Sequence, residues 1–456
     1  MNQIRRNFRW RWVVALMIVV LIAAAIQTMS KHRRQREWKA IEASVVAHGG
    51  SLNWDDYIPR PVPDDQNFYA APMMTAWFVK ATNTISPAFP FASLLSDFER
   101  TNEWIDVTSA SNFLARCSGF DSQFDQIRQA LKRPAARMNG DYTKPFSPPI
   151  CNFVSYRAVG RVLAYSAKSH LALGQPDRAV EDLAMLHDLN ATLCRGGKPA
   201  TLVEAMVHVA IAGIYAGAVD RGLAAHAWRE PELAALQKQT ADVHLLPCVV
   251  YSLQAERAGD CRLLDQLPKQ ISSFFRPNLA NIWWLVYGRC VDENKKLIIA
   301  LEEPVIASFD SAYGTVSPSK AKAAAMDQDK LDRQATRPWN ALAQVCVPNL
   351  AKALRTAARN QTWVDHARIV CALERCRLRT GKYPAALQDL GPDFVGALPQ
   401  DIITGKPLIY SRKDGQSFLL YSVGWNEVDD GGMIVRDSKG EEDPDRGDWV
   451  WHYPEP

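Results

Sequence analysis

A run of 19 uncharged residues near the amino terminus constrains this chain more than any other feature. Residues 12–30 read WVVALMIVVLIAAAIQTMS. An α-helix rises about 1.5 Å per residue, so the run nearly matches the roughly 30 Å hydrocarbon core of a bilayer. Residues 1–40 also hold nine Lys or Arg against one acid, Glu37. The pattern predicts a cytoplasmic tail and transmembrane signal-anchor over residues 1–30, with the lipid bilayer as partner of residues 12–30.

Three other interpretations of this run stay open. The triplet Ala23-Ala24-Ala25 suits a cleaved signal peptide, Arg5-Arg6 suits a twin-arginine export signal, and the apolar composition alone suits a buried soluble helix. The flanking charges are nearly balanced, so the positive-inside rule gives little orientation. We favour a single-pass protein of the bacterial inner membrane with the bulk of the chain extracytoplasmic. A short Arg-rich tail before an apolar run is typical of a signal-anchor.

The charge of the remaining chain argues against a nucleic-acid partner. The net charge is +4, but residues 41–456 carry 44 basic and 48 acidic residues, or −4. The basic character therefore belongs to the amino terminus, and no nucleic-acid-binding body is expected. With 47% hydrophobic and 22% charged residues, the composition is that of a globular protein.

The chain after the anchor is predicted to be mainly α-helical. Residues 31–65 are interpreted as a juxtamembrane helix and a linker, since Pro59, Pro61 and Pro63 favour extended backbone. A helix is predicted over 66–80. Residues 66–347 are predicted to form an antiparallel helical array, with helices over 122–132, 154–173, 179–193, 201–225, 232–239 and 248–267 separated by Gly/Pro turns. The turn over residues 170–179, HLALGQPDRA, resembles that of a tetratricopeptide repeat, although a generic αα-hairpin fits equally well.

Residues 348–456 are predicted to form a long helix and a small antiparallel sheet. The helix ends at Gly381, and β-prone runs follow at 409–411, 418–423 and 449–451. The stretch from Asn426 to Asp448 is predicted to be an acidic, Gly-rich loop.

Ordered motifs in this region resemble a known module. They are Gly381-Lys382-Tyr383-Pro384, Leu398-Pro399-Gln400-Asp401, the segment 420–424 and Asp429-Asp430-Gly431-Gly432. This order resembles the carboxy-terminal module of the major pseudopilin of bacterial type II secretion over residues 350–456. The chain lacks the prepilin peptidase signature, so it is not a conventional filament subunit. As a whole it resembles uncharacterised membrane-anchored helical proteins of planctomycete and verrucomicrobial type.

The pseudopilin resemblance implies a calcium site in the acidic loop. It places Asp429 and Asp430 at the site, with Asp448 as closing ligand. Calcium takes six to eight oxygen ligands, which carboxylates supply. The alternative is a solvated acidic loop, and EF-hand spacing is absent. Calcium is the one cofactor that the sequence suggests.

Catalytic signatures are absent from the sequence. It has no H-E-x-x-H, G-x-S-x-G, P-loop or G-x-G-x-x-G motif. Glu204 and His208 share a helical face and could act as an acid/base pair, but a satisfied buried pair is the favoured interpretation. Cys371 and Cys376 point apart on one helix, so we expect neither zinc binding nor a mutual disulfide there.

Two further expectations concern a pair of cysteines and an adjacent Asp-His pair. Cys117 and Cys151 could form a bridge in an oxidising compartment, although two separate thiols are the favoured interpretation. The adjacent pair Asp365-His366 is expected to be exposed.

Three functions follow from these observations. The favoured hypothesis is a membrane-anchored, non-enzymatic interaction or scaffold protein of the bacterial envelope that binds a protein partner. The alternatives are an accessory component of a type II secretion or pseudopilus-like system and an envelope hydrolase with a non-standard site.

Overall fold

The computed structural model of the chain describes most residues beyond the amino-terminal region. The described residues are 17, 28–29, 32–33, 35–80, 94, 106–194, 201–272, 277–334, 343, 347 and 349–453. Apart from 17, 28 and 29, the predicted membrane segment 12–30 lies outside them. Contacts divide the chain into two compact units, Met1–Leu52 and Asn53–Pro456.

The fold is mainly helical, as predicted. In the first unit, α1 covers residues 35–47 and Gly49 follows it with a positive φ of 74°. The helices of the second unit are α2 (Pro72–Phe78), α3 (Val107–Cys117), α4 (Asp121–Leu131), α5 (Phe153–Ala172), α6 (Pro176–Ala191), α7 (Leu202–Ala224), α8 (Glu230–Ala241), α9 (Leu245–Ser272), α10 (Pro277–Ile306), α11 (Pro318–Gln334) and α12 (Leu350–Thr380).

The helical hairpin predicted around Gly174 is formed by α5 and α6. Gly174 adopts a positive φ of 71°, which few residues other than glycine tolerate. Pro176 then occupies the first turn of α6, where its missing N–H is not needed. The two helices pack against each other. The structure therefore contains the αα-hairpin; its kinship with tetratricopeptide repeats stays a prediction.

Helix α7 lies at the centre of the second unit. It begins after Thr201, whose hydroxyl accepts a hydrogen bond from the Glu204 amide, and it packs against α5, α6, α9 and α12. Near its end, Gly222 leaves room for the indole ring of Trp228, whose Nε1 donates to the Val219 carbonyl at 3.1 Å. A close approach of this kind requires glycine.

Helix α12 joins the array to the carboxy-terminal sheet. It packs against α7, α8 and α9 on one side, and against strands β6 (Phe418–Ser422) and β9 (Trp449–Tyr453) on another. Trp363 and Trp451 meet there with ring centroids 5.4 Å apart. The predicted boundary between residues 347 and 348 thus falls inside one compact unit, and the main division lies between Leu52 and Asn53.

All strand pairs among the described residues are antiparallel. The main sheet has the order β5-β6-β9, with β5 covering Ile409–Arg412. The two-stranded ribbons are β1 (Val79–Lys80) with β2 (Ile150–Cys151), β3 (Phe309–Asp310) with β4 (Thr315–Val316), and β7 (Ile434–Arg436) with β8 (Glu442–Gly447).

Two local predictions were wrong. The segment 66–80 is not one helix, because α2 begins only at Pro72, after the 3-10 turns Asp64–Gln66 and Phe68–Ala70. Proline favours the first turn of a helix and disfavours helical backbone at the residue before it. The acidic stretch 426–448 is not a single loop either, because its second half forms the hairpin of β7 and β8.

Candidate functional site

A concave groove lies between α5, α7 and α9. It encloses about 800 Å³. We call it the α5–α7–α9 groove, and its lining consists of Phe153, Arg157, Arg161, Leu202, Val203, Met206, Val207, Ala210, Ile211, Ile214 and Glu256. Most of these side chains are apolar, and the volume lies in the range of ligand-binding clefts.

The apolar wall of this groove comes from α7. Among the described residues, α7 is the one helix long and apolar enough to cross a membrane. Within its most apolar stretch of 18 residues, 61% of the stretch is buried inside the protein. A helix buried inside a protein passes the same test of length and composition, and the sequence predicts residues 201–225 as one helix of the array. Val203 stays 43% exposed and Phe153 48% exposed, so solvent reaches the groove.

Few polar side chains line the groove, and those that do are charged. Arg157 and Arg161 lie one turn apart on α5, and Arg157 is exposed. On the α9 side, the Glu256 carboxylate accepts a hydrogen bond from the Leu202 amide at 2.8 Å. Burial raises the pKa of Glu256, and this hydrogen bond partly opposes the rise. The exposed Arg157 is therefore the group placed to meet an acidic ligand.

Residues of the sequence motifs at 381–384 and 398–401 have structural partners inside the protein. The Tyr383 hydroxyl donates to Glu374 Oε2 at 2.7 Å, which ties the turn after α12 back to that helix. Asp401 is buried and accepts from the Ser422 hydroxyl on β6 at 2.9 Å and from the Ile403 amide at 2.9 Å. These contacts hold the connecting segments against the sheet.

The three aspartates predicted to bind calcium lie around one turn and accept hydrogen bonds. Asp448 is buried and accepts from the amides of Asp430 at 3.2 Å and Gly432 at 2.6 Å. Asp429 accepts from the Tyr421 hydroxyl at 2.9 Å. Desolvation raises the pKa of Asp448, and the amide hydrogen bonds oppose this. The turn is thus closed by backbone amides, and calcium binding stays a prediction.

Glu204 and His208 are both buried on α7. His208 Nδ1 lies 3.2 Å from the Asn190 carbonyl oxygen at the end of α6. Burial lowers the pKa of His208 to about 4, so its imidazole is neutral near pH 7. The burial agrees with the favoured interpretation of a buried pair.

Sequence reasoning missed one cluster of metal-ligating side chains. Cys194, His208 and Cys248 bring ligand atoms within 4.8 Å of one another, the one such group of three that the described residues contain. Its members lie after α6, on α7 and on α9, so no local motif reveals it. The aspartates 429, 430 and 448 are not gathered in this way.

The other cysteines named from the sequence do not pair. Cys117 and Cys151 are both buried and free, as are Cys371 and Cys376 on α12. The sequence favours the same interpretation, in which Cys117 and Cys151 are two separate thiols. Burial raises the pKa of Cys151 and Cys371, so these thiols stay protonated and behave as core residues.

The expected exposure of Asp365-His366 was wrong for both residues, because Asp365 is only partly exposed and His366 is buried. His366 is only 1% exposed, and it contacts the rings of Trp363 and Trp451 edge to face at centroid distances of 6.2 Å each. Neither ring nitrogen has a hydrogen-bond partner among the described residues. Burial lowers the pKa of His366 to about 3. Helix α12 is covered on several sides, which its sequence alone does not show.

No protein-family model matches the chain, and searches of curated proteins and of solved structures found no match either.

Proposed function

We propose that this chain is a membrane-anchored, non-enzymatic interaction protein that binds a partner protein in the α5–α7–α9 groove. The observation that carries the proposal is the groove itself, which combines an apolar wall on α7 with Arg157 and Arg161 along one side. Grooves of this kind receive the apolar face of a partner helix. The exposed Arg157 favours a partner segment with acidic residues beside its apolar face.

A photoreactive side chain placed at Val203 tests this assignment. In native membranes, Val203 should cross-link one defined protein, and Arg157→Glu should weaken that cross-link. The control position is Tyr313, which is 80% exposed and outside the groove lining. The same cross-linked products from both positions, or no effect of Arg157→Glu, would contradict the proposal.

The membrane part of the proposal rests on residues 12–30. We propose that this segment anchors the protein in the inner membrane with the bulk of the chain extracytoplasmic. The full chain should sediment with membranes and be released by detergent but not by high salt. An intact chain that stays in the supernatant without detergent would overturn the anchor.

A pseudopilus-like role of residues 350–456 is the second candidate function. A 31-residue helix followed by the β5-β6-β9 sheet and the turn closed by Asp448 supports it. Native co-purification should recover secretion-machinery components; recovering none would count against this role.

The calcium site has a separate test. Millimolar Ca²⁺ should raise the melting temperature of the full chain, and Asp429→Asn should abolish the rise. The full chain is needed because α12 packs against α7, α8 and α9. An unchanged melting curve would remove the calcium site.

A further inference from the structure

Two cysteines and a histidine from three separate elements meet inside the second unit. Cys194 follows α6, His208 is on α7, and Cys248 is in the first turns of α9. The sulfur atoms of Cys194 and Cys248 are 2.8 Å apart, and all three ligand atoms lie within 4.8 Å of one another. His208 is buried, and the two cysteines are partly buried.

The histidine is held in the form that binds metal. Its Nδ1 faces the Asn190 carbonyl oxygen at 3.2 Å, and a carbonyl only accepts, so Nδ1 carries the hydrogen. The lone pair is then on Nε2. A ring N–H donated to a backbone carbonyl is the usual second contact of a metal-ligating histidine, since it fixes the tautomer and the ring orientation.

The polar surroundings fit a bound cation better than a reactive thiol. A nucleophilic cysteine needs an electropositive environment that stabilises its thiolate. Here the sulfur atom of Cys194 lies 2.8 Å from that of Cys248, and the third member of the group is the imidazole of His208. In addition, Asn190, whose carbonyl oxygen faces His208, is only 4% exposed. Its side-chain Oδ1 atom is buried and has no hydrogen-bond partner among the described residues.

We propose that Cys194, His208 and Cys248 bind one Zn²⁺ ion that joins α6, α7 and α9. Two thiolates and one imidazole are ligands that zinc prefers, and three protein ligands leave a fourth position for water. Two thiolates bound to zinc at about 2.3 Å in a tetrahedral site lie about 3.8 Å apart, so the sulfur atoms would separate by about 1 Å from their present distance.

Zinc binding at this site is balanced in both charge and protons. Both thiols lose their protons to solvent, and the neutral imidazole loses none. The two thiolates then neutralise the divalent ion.

Cobalt substitution tests the site in the full chain, purified in detergent under reducing conditions. Co²⁺ should bind one equivalent per chain, with a thiolate charge-transfer band and the visible bands of tetrahedral cobalt, and Zn²⁺ should displace it. Cys194→Ser, Cys248→Ser and His208→Gln should each weaken metal binding by about tenfold or more. Cys290→Ser is the matched control, because Cys290 is also a partly buried free cysteine outside the group.

The following results would contradict the proposed zinc site. A reduced wild-type chain that shows no thiolate–cobalt band overturns the proposal, even if a variant fails to fold. Equal binding by Cys248→Ser and Cys290→Ser would also overturn it. A Cys194–Cys248 disulfide in the purified protein, with no metal binding after reduction, would assign the pair to a structural crosslink instead.

Discussion

His366 should make the protein less stable in mild acid, and its replacement by leucine should remove that sensitivity. Burial lowers the pKa of this imidazole to about 3 in the folded chain, against about 6.5 when unfolded. Between these values the unfolded state binds a proton that the folded state does not. The titration of His366 therefore leaves stability unchanged above about pH 6.5 and lowers it progressively as the pH falls towards 3.

The size of the effect follows from these two pKa values. Between pH 7 and pH 5, protonation of the unfolded state lowers the free energy of unfolding by about 2 kcal/mol. His366→Leu lacks this loss, so its advantage over the wild type should grow by about 2 kcal/mol on acidification. At pH 7 the variant should already gain about 1 kcal/mol, because leucine leaves no buried ring nitrogen without a partner.

Urea unfolding followed by tryptophan fluorescence measures the difference, since the rings of Trp363 and Trp451 both contact the imidazole. Burial raises the pKa of neighbouring Asp365 to about 7, but this carboxyl titrates in both proteins and its effect largely cancels. Cys371→Ala is the control, because its buried thiol stays neutral and its cost should be equal at both pH values. An advantage of His366→Leu that does not change with pH would refute the reasoning.

Two further substitutions test the packing of the helical array. Gly222→Ala should lower stability by about 1–3 kcal/mol, because its new Cβ would overlap the indole ring beside α7; Gly217→Ala, with open space around its Cβ on the same helix, should gain up to about 1 kcal/mol. Equal effects of the two in thermal unfolding would contradict this packing. Arg257→Met should cost about 3–5 kcal/mol, because it breaks the ion pair between the fully buried Arg257 and the largely buried Glu303 carboxylate. Arg262→Met, at a more exposed ion pair, should cost less than about 1 kcal/mol in the same urea titration.

The helices that the sequence predicts best are those whose ends carry local signals. Thr201 caps α7, Pro176 opens α6, and Gly381 ends α12 with a positive φ of 79°. These effects depend on a few neighbouring residues, so the pattern of the chain is enough to reveal them. The β5-β6-β9 sheet was also predicted in outline, because its strands are rich in apolar and aromatic residues.

The β7–β8 hairpin was not predictable in the same way. Strand β8 reads Glu-Asp-Pro-Asp-Arg-Gly, a composition with low β propensity. Its pairing with β7 comes from the surrounding structure, where the Asp448 amide donates to the Met433 carbonyl at 2.9 Å. Local composition therefore predicted a loop where tertiary contacts form a ribbon.

By itself, the sequence determined the helical class, the hairpin around Gly174 and the apolar segment 12–30, since each depends on residues close together in the chain. Only the tertiary structure decided the candidate sites. The α5–α7–α9 groove and the Cys194–His208–Cys248 group draw their residues from three elements each. Helix packing sets which of these side chains meet, and periodicity within one helix does not specify its neighbours.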